Sequence, residues 1–377
     1  MKITFVIPTP DLAGGIRAVA IYAERLKKRG HDVQVVSMPK CPPTLRQQIR
    51  SLLRGQGWIS VTQNQSSHFD NIGVPLKFIE HYRPIIDTDV PDADVVVATW
   101  WETAEWVANL SEAKGAKVYF IQAPESRFEY LPTKRVEATY SQPWHKITVS
   151  KQLVDWHQTN YGDTDIPLVR YSVDTEQFNA PPRGKQAIPT VGVMYSTVYW
   201  KGCHISLKAF TLAAKKFPNL RLIVFGAIPN PSPDLPLPPG TDYICQPPQN
   251  TLKDIYARCD AWLFGSSQLE SFGLPLLEAM ACRTPVIGTH GGAAPELLSE
   301  GGGILVKDAE DMAKAIERVC NLGDSEWRAM SDAAYATATQ YTWDDATQLF
   351  EQALFTAIER WKRGELSHSD KPKMPKT

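Results

Sequence analysis

The stretch Leu269–Ala281 reads LESFGLPLLEAMA and carries two glutamates, Glu270 and Glu278, in an apolar run. A glycine and Pro275 interrupt the run between them. Proline is favoured in the first turn of a helix, where its missing N–H costs nothing, so a helix is predicted from Pro275 to about Cys282. Glu270 then lies in a loop and Glu278 one turn inside the helix, where both carboxylates can face one cleft. The alternatives are a solvated helix face and two unrelated surface glutamates.

Short apolar runs alternate with amphipathic segments on both sides of this stretch. Near-continuous β-branched runs are typical of buried parallel strands, with helices as the connections between them. The pattern therefore predicts an α/β protein with two doubly wound parallel sheets. The predicted strands fall at 2–8, 32–37, 93–100, 116–123, 145–150 and 166–172, and then at 189–196, 220–227, 242–246, 261–267, 284–290 and 302–306.

A polar, proline-rich segment at 174–189 separates the two series of strands. We predict an N-terminal domain over 1–173 and a C-terminal domain over 174–342. A helix at about 343–363 has apolar residues at helical spacing, at Leu349, Ala353, Ala357 and Trp361. The polar end, 364–377, is predicted to be a flexible tail.

The composition is that of a globular protein that does not bind nucleic acid. The 377 residues are 43% hydrophobic and 21% charged, with a net charge of −1. No apolar run approaches the roughly 18 residues of a spanning helix, and the N-terminus lacks the longer apolar region of a signal peptide. Six scattered cysteines, mostly buried and without metal-ligand spacing, indicate reduced thiols. A cytoplasmic location is expected.

The predicted helix start is suited to a ligand that combines phosphate with hydroxyl groups. Its first backbone N–H groups are unpaired and can bind phosphate oxygens, whereas carboxylates accept hydrogen bonds from sugar hydroxyls. A nucleotide sugar carries both groups. The glycine pair at 291–292, also before a helix, would let the backbone approach a diphosphate closely, although a plain tight turn is the alternative. The pair at 14–15 follows the first strand without a GxGxxG pattern, which disfavours a nicotinamide site.

At this point the sequence resembles a known family. The segment ESFGLPLLEAMACRTPVIGTHGGAAPELL, 270–298, is similar to the nucleotide-binding core of the GT4 family of retaining glycosyltransferases, with its E-x7-E motif. The likeness extends to 14–37, to the WKG element at 200–202, to VDTEQF at 173–178 and to TWDDA at 342–346. It implies a GT-B fold, in which two Rossmann-like domains face a central cleft and the C-terminal helix packs back on the first domain.

The resemblance implies a role for each matching position. Glu270 and Lys201 would act in catalysis, Lys201 by neutralising the diphosphate, for which an exposed lysine is the alternative. The donor sugar would be held by Glu270 and the backbone of Ser271, Phe272 and Gly273. The nucleotide would be held by Glu278 at the ribose and, around the diphosphate, by Leu274, Gly14, Gly15, Lys201 and Ser196.

Three departures from the family pattern stand out. Many relatives carry an arginine beside the diphosphate where this chain has Ser196, so Lys201 or another group such as Arg17 would neutralise the charge. Relatives often read NGVD where this chain has YSVD at 171–174. None of the eight histidines matches the histidine that many members keep in the first domain.

The implied reaction moves a sugar from a nucleoside-diphosphate sugar to an acceptor hydroxyl with retention of anomeric configuration, in cell-surface polysaccharide or glycolipid synthesis. The implied donor is a substrate, and neither a cofactor nor a metal is expected. Glu270 is expected to orient the sugar, with a covalent nucleophile as the alternative. Base recognition is expected from backbone groups around 246–248. A nucleotide-sugar epimerase and a non-catalytic scaffold of the same fold remain as other hypotheses.

The first sixty residues carry ten Lys/Arg against three Asp/Glu, a local charge of +7. Within them, 44–55 places Leu45, Ile49, Leu52 and Leu53 on one helical face, with arginines around the rest. This pattern is typical of a helix that lies on an anionic membrane near a lipid-linked acceptor, or of a helix that packs on its sheet. Aromatic residues at 99–106 and 121–130 are candidates for sugar stacking or for the core.

Overall fold

The computed structural model describes residues 1–39, 42–55, 57–58, 67–70 and 72–366. Two compact units make up the chain. The first contains Met1–Thr148, His157–Val169 and the chain from Thr347, and the second contains Val149–Trp156 and Arg170–Ala346. The predicted tail at 364–377 lies outside the described residues from 367 onward.

The first unit is built on a six-stranded parallel sheet in the order β3-β2-β1-β4-β5-β6. Its strands are β1 (Lys2–Ile7), β2 (Asp32–Ser37), β3 (Leu76–Phe78), β4 (Val95–Ala98), β5 (Ala116–Ile121) and β6 (His145–Thr148). Its helices are α1 (Gly14–Lys28), α2 (Leu45–Leu53), α3 (Trp101–Ala108) and α4 (Thr133–Tyr140), with parts of α5 (Lys151–Tyr161) and α12 (Trp343–Lys362). The central strands are apolar and buried on both faces, as parallel strands between two helix layers are.

The second unit repeats this architecture, with the sheet order β12-β11-β10-β7-β8-β9. Its strands are β7 (Thr190–Tyr195), β8 (Arg221–Gly226), β9 (Asp242–Cys245), β10 (Ala261–Phe264), β11 (Val286–Gly288) and β12 (Gly303–Leu305). Its helices are α6 (Cys203–Ala214), α7 (Leu252–Ala257), α8 (Leu274–Ala281), α9 (Ala294–Leu297), α10 (Ala309–Asn321) and α11 (Asp324–Thr339). Numbered within each unit, both sheets have the order 3-2-1-4-5-6, so the predicted pair of doubly wound parallel sheets is confirmed.

The C-terminal helix α12 contributes the Phe350 side chain to the core of the first unit. Phe350 is fully buried and stacks on Tyr22 of α1, with 4.4 Å between ring centroids. The predicted apolar face is wrong in part, because Leu349 is 42% exposed while Phe350 and Leu354 are buried together with Ala353 and Ala357. The buried face therefore keeps Ala353 and Ala357 of the predicted one and is rotated toward Phe350 and Leu354 by roughly 50°, at about 100° per residue.

Two further expectations are corrected. The apolar run at 166–172 forms no strand and makes only an isolated bridge, between Leu168 and Thr148 of β6. A short strand, β3, lies in the region where no strand was predicted. The expectation of mostly buried thiols agrees with the described cysteines, since all five are free and three are buried, with Cys245 exposed.

Candidate functional site in the second unit

The strand order of the second sheet places β7 beside β10, and the connections leaving these two strands run to opposite sides of the sheet. In open α/β sheets this switch point forms a crevice at the carboxyl ends of the strands, where ligands bind. The segment after β7 carries Lys201, and the segment after β10 carries Glu270. The topology thus brings two predicted site residues, 69 positions apart in sequence, to one edge of the sheet.

Lys201 and Glu270 form an ion pair at this edge. The Lys201 Nζ lies 2.7 Å from the Glu270 Oε2, and the two side chains are 31% and 9% exposed. The Ser266 hydroxyl lies 3.5 Å from the same carboxylate oxygen. All three side chains line a small pocket above β7 and β10, together with Pro275 of α8. The site therefore holds a partly exposed cation beside a mostly buried carboxylate.

Two glycines bring the Lys201 and Glu270 segments together. Gly202 has a φ of +61°, and a Cβ at this position would lie 1.7 Å from the Gly265 carbonyl oxygen. In the same way, a Cβ on Gly265 would lie 2.4 Å from the Gly202 carbonyl oxygen. Only glycine on both sides allows such a close backbone approach. The WKG element therefore has a structural role beyond its lysine.

The loop that carries Glu270 is held by backbone and side-chain hydrogen bonds. The Ser267 N–H donates to the Trp200 carbonyl at 2.8 Å, and the Glu270 N–H donates to the Ser267 carbonyl at 2.9 Å. The Gln152 side-chain amide donates to the Gln268 carbonyl at 2.5 Å. These contacts fix the backbone that leads into Glu270. Gln152 carried no sequence signal, because its partner is 116 residues away.

The start of α8 has the geometry that the sequence predicted, to within one residue. The N-cap, Gly273, has a φ of +95° and provides no side-chain cap, and Pro275 occupies the first turn. The helix dipole therefore places partial positive charge next to the Lys201–Glu270 pair. Phe272 is buried, and its carbonyl accepts from the Ala293 N–H at 2.9 Å, which ties the glycine pair at 291–292 to this loop.

Glu278 lies one turn inside α8 and is 6% exposed. Its Oε2 accepts a hydrogen bond from the Tyr256 hydroxyl of α7 at 2.8 Å. Tyr256 is fully buried, so this bond fixes one carboxylate oxygen from the protein side. Tyr256 is a second residue that sequence reasoning missed. Within the described part of the chain, Glu278 does not line the pocket that contains Glu270.

The remaining predicted nucleotide contacts have separate positions. Ser196 follows β7, and its hydroxyl accepts from the Val198 N–H at 3.2 Å, so the side chain stabilises a turn. Leu274 is the first residue of α8. Gly14 and Gly15 belong to the first unit, at the start of α1.

The first unit also has a carboxylate at its carboxyl edge, which the sequence analysis did not single out. Glu125 follows β5 and is fully buried. Its Oε2 accepts from the Trp101 N–H at 2.7 Å and from the Tyr119 hydroxyl at 3.0 Å. Burial raises the pKa of Glu125 to about 8, although these two hydrogen bonds lower it. The Oε1 has no hydrogen-bond partner among the described residues, so the protonated form is favoured at neutral pH.

Comparisons with curated proteins give partial matches. Over 107 residues the chain is 34% identical to O-antigen chain mannosyltransferase B of Escherichia coli, covering 28% of this chain. It is 25% identical over 399 residues to D-inositol 3-phosphate glycosyltransferase of Mycobacterium marinum, covering 93% of this chain and 83% of that protein. The matches to the E. coli protein and to D-inositol 3-phosphate glycosyltransferases of two Corynebacterium species span 27%, 39% and 48% of those proteins.

Solved structures extend the likeness over nearly the whole chain. Anabaena Alr3699/HepE in complex with UDP and glucose is similar with a TM-score of 0.69 at 17% identity, covering 94% of this chain and 100% of that one. Sucrose-phosphate synthase of Thermosynechococcus elongatus is similar with a TM-score of 0.69 at 17% identity, covering 95% and 100%. This structural likeness at low identity shows the fold alone, which is that of GT-B glycosyltransferases. Residues 175–337, which contain the whole Lys201–Glu270 site, match the family model of Glycosyl transferases group 1.

Proposed function

We propose that the protein is a retaining glycosyltransferase that uses a nucleoside-diphosphate sugar. The observation that carries this proposal is the Lys201–Glu270 ion pair at the switch point, beside the uncapped start of α8. A cation and helix amides suit a diphosphate, and a carboxylate suits the hydroxyls of a sugar. The cation and the carboxylate are adjacent in the pocket, and the diphosphate and the sugar are adjacent in a nucleotide sugar. The family match over 175–337 supports the same reading.

The ion pair is proposed to exchange partners when the donor binds. A diphosphate carries more negative charge than one carboxylate, so Lys201 would move from Glu270 to the phosphate oxygens. Glu270 would then be free to accept hydrogen bonds from the donor sugar. Because Lys201 is 31% exposed and Glu270 only 9%, the lysine is the partner with room to move. Binding of the nucleotide and orientation of the sugar would thus be coupled.

In the proposed reaction, the bond between the sugar C1 and the phosphate oxygen breaks, and the nucleoside diphosphate leaves with the electron pair. Lys201 and the Leu274 N–H at the start of α8 would stabilise the growing negative charge. The acceptor oxygen bonds to C1 from the same face, and its proton passes to the leaving phosphate. Ser196 adds no charge here, so Lys201 would neutralise a larger share of the leaving group's negative charge than in relatives with an arginine at this position.

The proposed donor contacts extend to both ends of the nucleotide sugar. Glu278, held by Tyr256, would accept hydrogen bonds from the ribose hydroxyls. The backbone of Ser271–Gly273 would contact the sugar. The proposed acceptor is a glycan or lipid-linked hydroxyl, in keeping with the O-antigen mannosyltransferase among the relatives. Gly14 and Gly15 remain proposed diphosphate contacts from the first unit.

The test measures nucleotide release from a panel of donors that includes UDP-glucose and GDP-mannose, with and without candidate acceptors. Acceptor-dependent release of nucleoside diphosphate, with an α-linked product from an α-linked donor, is expected. Conversion of the donor to an epimer without acceptor would identify an epimerase instead. If no nucleotide sugar raised the melting temperature and none was consumed, a non-catalytic scaffold would be the correct description.

A further inference from the structure

Helix α2 exposes its apolar side and buries its polar side. The buried residues of this helix are Gln48 and Ser51. The exposed fractions of its apolar residues are 77% for Leu45, 56% for Ile49, 49% for Leu52 and 84% for Leu53. This result contradicts the expectation of a helix packed on its sheet through these residues. An apolar stripe of four neighbouring side chains on one short helix is a typical interaction surface.

Three arginines border this stripe. Each arginine directly follows an apolar residue of the stripe, and all three are exposed: Arg46, Arg50 and Arg54. At 100° per residue they form a row along one side of the stripe, and the buried Gln48 and Ser51 lie on the other. The segment 42–58 contains no acidic residue. The surface therefore combines apolar area with uncompensated positive charge.

The helix is already formed and fixed to the chain around it. The Gln47 N–H donates to the Thr44 hydroxyl at 3.3 Å, and the Thr44 N–H donates to the Gln47 side chain at 2.8 Å, which is a complete capping box. The Ser51 hydroxyl donates to the Gly57 carbonyl at 2.7 Å. This bond holds the next residue, Trp58, near the helix, with 65% of its surface exposed. A surface that is ordered before binding loses little conformational entropy on binding.

We infer that α2 docks the protein on an anionic lipid bilayer. Leucine and isoleucine side chains would enter the boundary between headgroups and acyl chains, while the arginines would lie against anionic headgroups. No helix in the described ranges is long and apolar enough to cross a membrane, so the contact is peripheral. Attraction would be local, since the whole chain has a net charge of −1.

A second copy of the chain fits this surface poorly. In an antiparallel two-fold contact the same flank of both helices meets, so the arginine row of one copy would lie beside the arginine row of the other. A bilayer containing acidic phospholipid supplies the missing negative charge and the apolar volume together. Charge complementarity therefore favours the bilayer as the partner. The inference is independent of the proposed reaction, because lipid binding needs no donor.

The experiment measures cosedimentation of the full chain with vesicles, without nucleotide or acceptor. Vesicles of phosphatidylcholine with 30% phosphatidylglycerol are compared with pure phosphatidylcholine at about 0.1 M salt, where charge screening is moderate. The wild type is expected to bind the anionic vesicles strongly and the neutral vesicles weakly. Replacing all three arginines by glutamine, R46Q/R50Q/R54Q, is expected to lower the partition coefficient on anionic vesicles about 100-fold, at about 1 kcal/mol per charge. Leu45→Ser with Leu53→Ser is expected to lower it at least tenfold.

Matched variants outside α2 separate the surface from general effects. K208Q/K215Q/K314Q removes the same charge from α6, the residue that follows it and α10, and Leu349→Ser removes an exposed leucine from α12. Both are expected to bind as the wild type does. Equal loss in the control and α2 variants, or equal binding of the wild type to neutral and anionic vesicles, would overturn the inference. Concentration-dependent dimerisation of the wild type that R46Q/R50Q/R54Q strengthens would also overturn it, since a second copy would then be the partner.

Discussion

The two sheets have the same strand order, yet the glutamates at their carboxyl edges have different neighbours. At the second sheet, Glu270 has a lysine ammonium at 2.7 Å. At the first sheet, Glu125 is fully buried with an amide and a phenol as donors, and its pKa is raised to about 8. The shared architecture fixes where a carboxylate is placed, whereas the neighbouring side chains decide its charge. The second edge pairs its acid with a lysine, and the first edge keeps its acid neutral.

The largest expected effect is on turnover at the second edge. If the ion pair exchanges partners with the donor, Lys201→Met removes the main cation for the leaving group. We expect kcat to fall about 10²–10³-fold, the usual loss when one fixed donor to a developing anion is removed. Glu270→Gln should lower kcat as well, with less effect on the affinity for nucleoside diphosphate. Steady-state kinetics and calorimetric titration of the nucleotide separate the two parameters.

Glu129→Gln is the matched control for Glu270→Gln, because it changes an exposed glutamate in the first unit. It is expected to leave kcat unchanged. A kcat within a factor of three of the wild type for Lys201→Met would show that the second edge does not neutralise the leaving group. The ion pair at the second edge would then not contribute to turnover, and the difference between the two edges would not concern catalysis.

A second expected effect concerns the glycine contact that creates the ionic edge. Gly202→Ala introduces a side chain at a φ of +61° and against the Gly265 carbonyl. The left-handed conformation costs about 1–2 kcal/mol in itself, and displacement of the backbone adds to it. For a unit of this size we expect the melting temperature to fall by roughly 5–10 °C. Gly240→Ala is the control, with a φ of +79° and open space around the added Cβ. An equal, small shift for both variants would show that close approach is not required.

The third expected effect tests the neutral acid of the first edge. The pKa of Glu125 is raised from 4.5 to about 8 on folding, so the folded protein keeps a proton that the unfolded chain loses within this window. The stability from this group is therefore complete below pH 4.5 and decreases as the pH rises toward 8. Between pH 5.5 and 7.5 the group should cost about 2–3 kcal/mol, at 1.36 kcal/mol per pH unit.

Glu125→Gln removes this pH dependence, because an amide of the same shape remains neutral. Thermal unfolding at pH 5.5 and 7.5 should show a smaller decrease for Glu125→Gln than for the wild type, with Glu129→Gln behaving as the wild type. If Glu125→Gln lowers the melting temperature equally at both values, the buried carboxyl is not protonated. The two edges would then be more alike than their burial indicates.

The comparison also shows which features the sequence could predict. The two parallel sheets and the start of α8 follow from local signals, namely apolar runs and Pro275, and the predicted helix boundary is within one residue of the structure. The run at 166–172 has the composition of a strand, but composition does not show whether a sheet edge is available for pairing. The supports of the site, Gln152 and Tyr256, act on partners far away in sequence. For α2, periodicity indicates two faces without showing which one is turned toward the protein.

The smallest expected effect sharpens the role of Glu278 against that of Glu270. Glu278→Gln keeps an oxygen for the Tyr256 hydroxyl but removes the charge that would hold the ribose, so the nucleotide Kd should rise about tenfold, or about 1.4 kcal/mol. Tyr256→Phe leaves the charge and removes only its support, and should raise the Kd a few-fold. Titration with nucleoside diphosphate, which lacks the sugar, isolates this part of the site. An unchanged Kd in Glu278→Gln would contradict the ribose contact and leave only the Lys201–Glu270 end of the donor site.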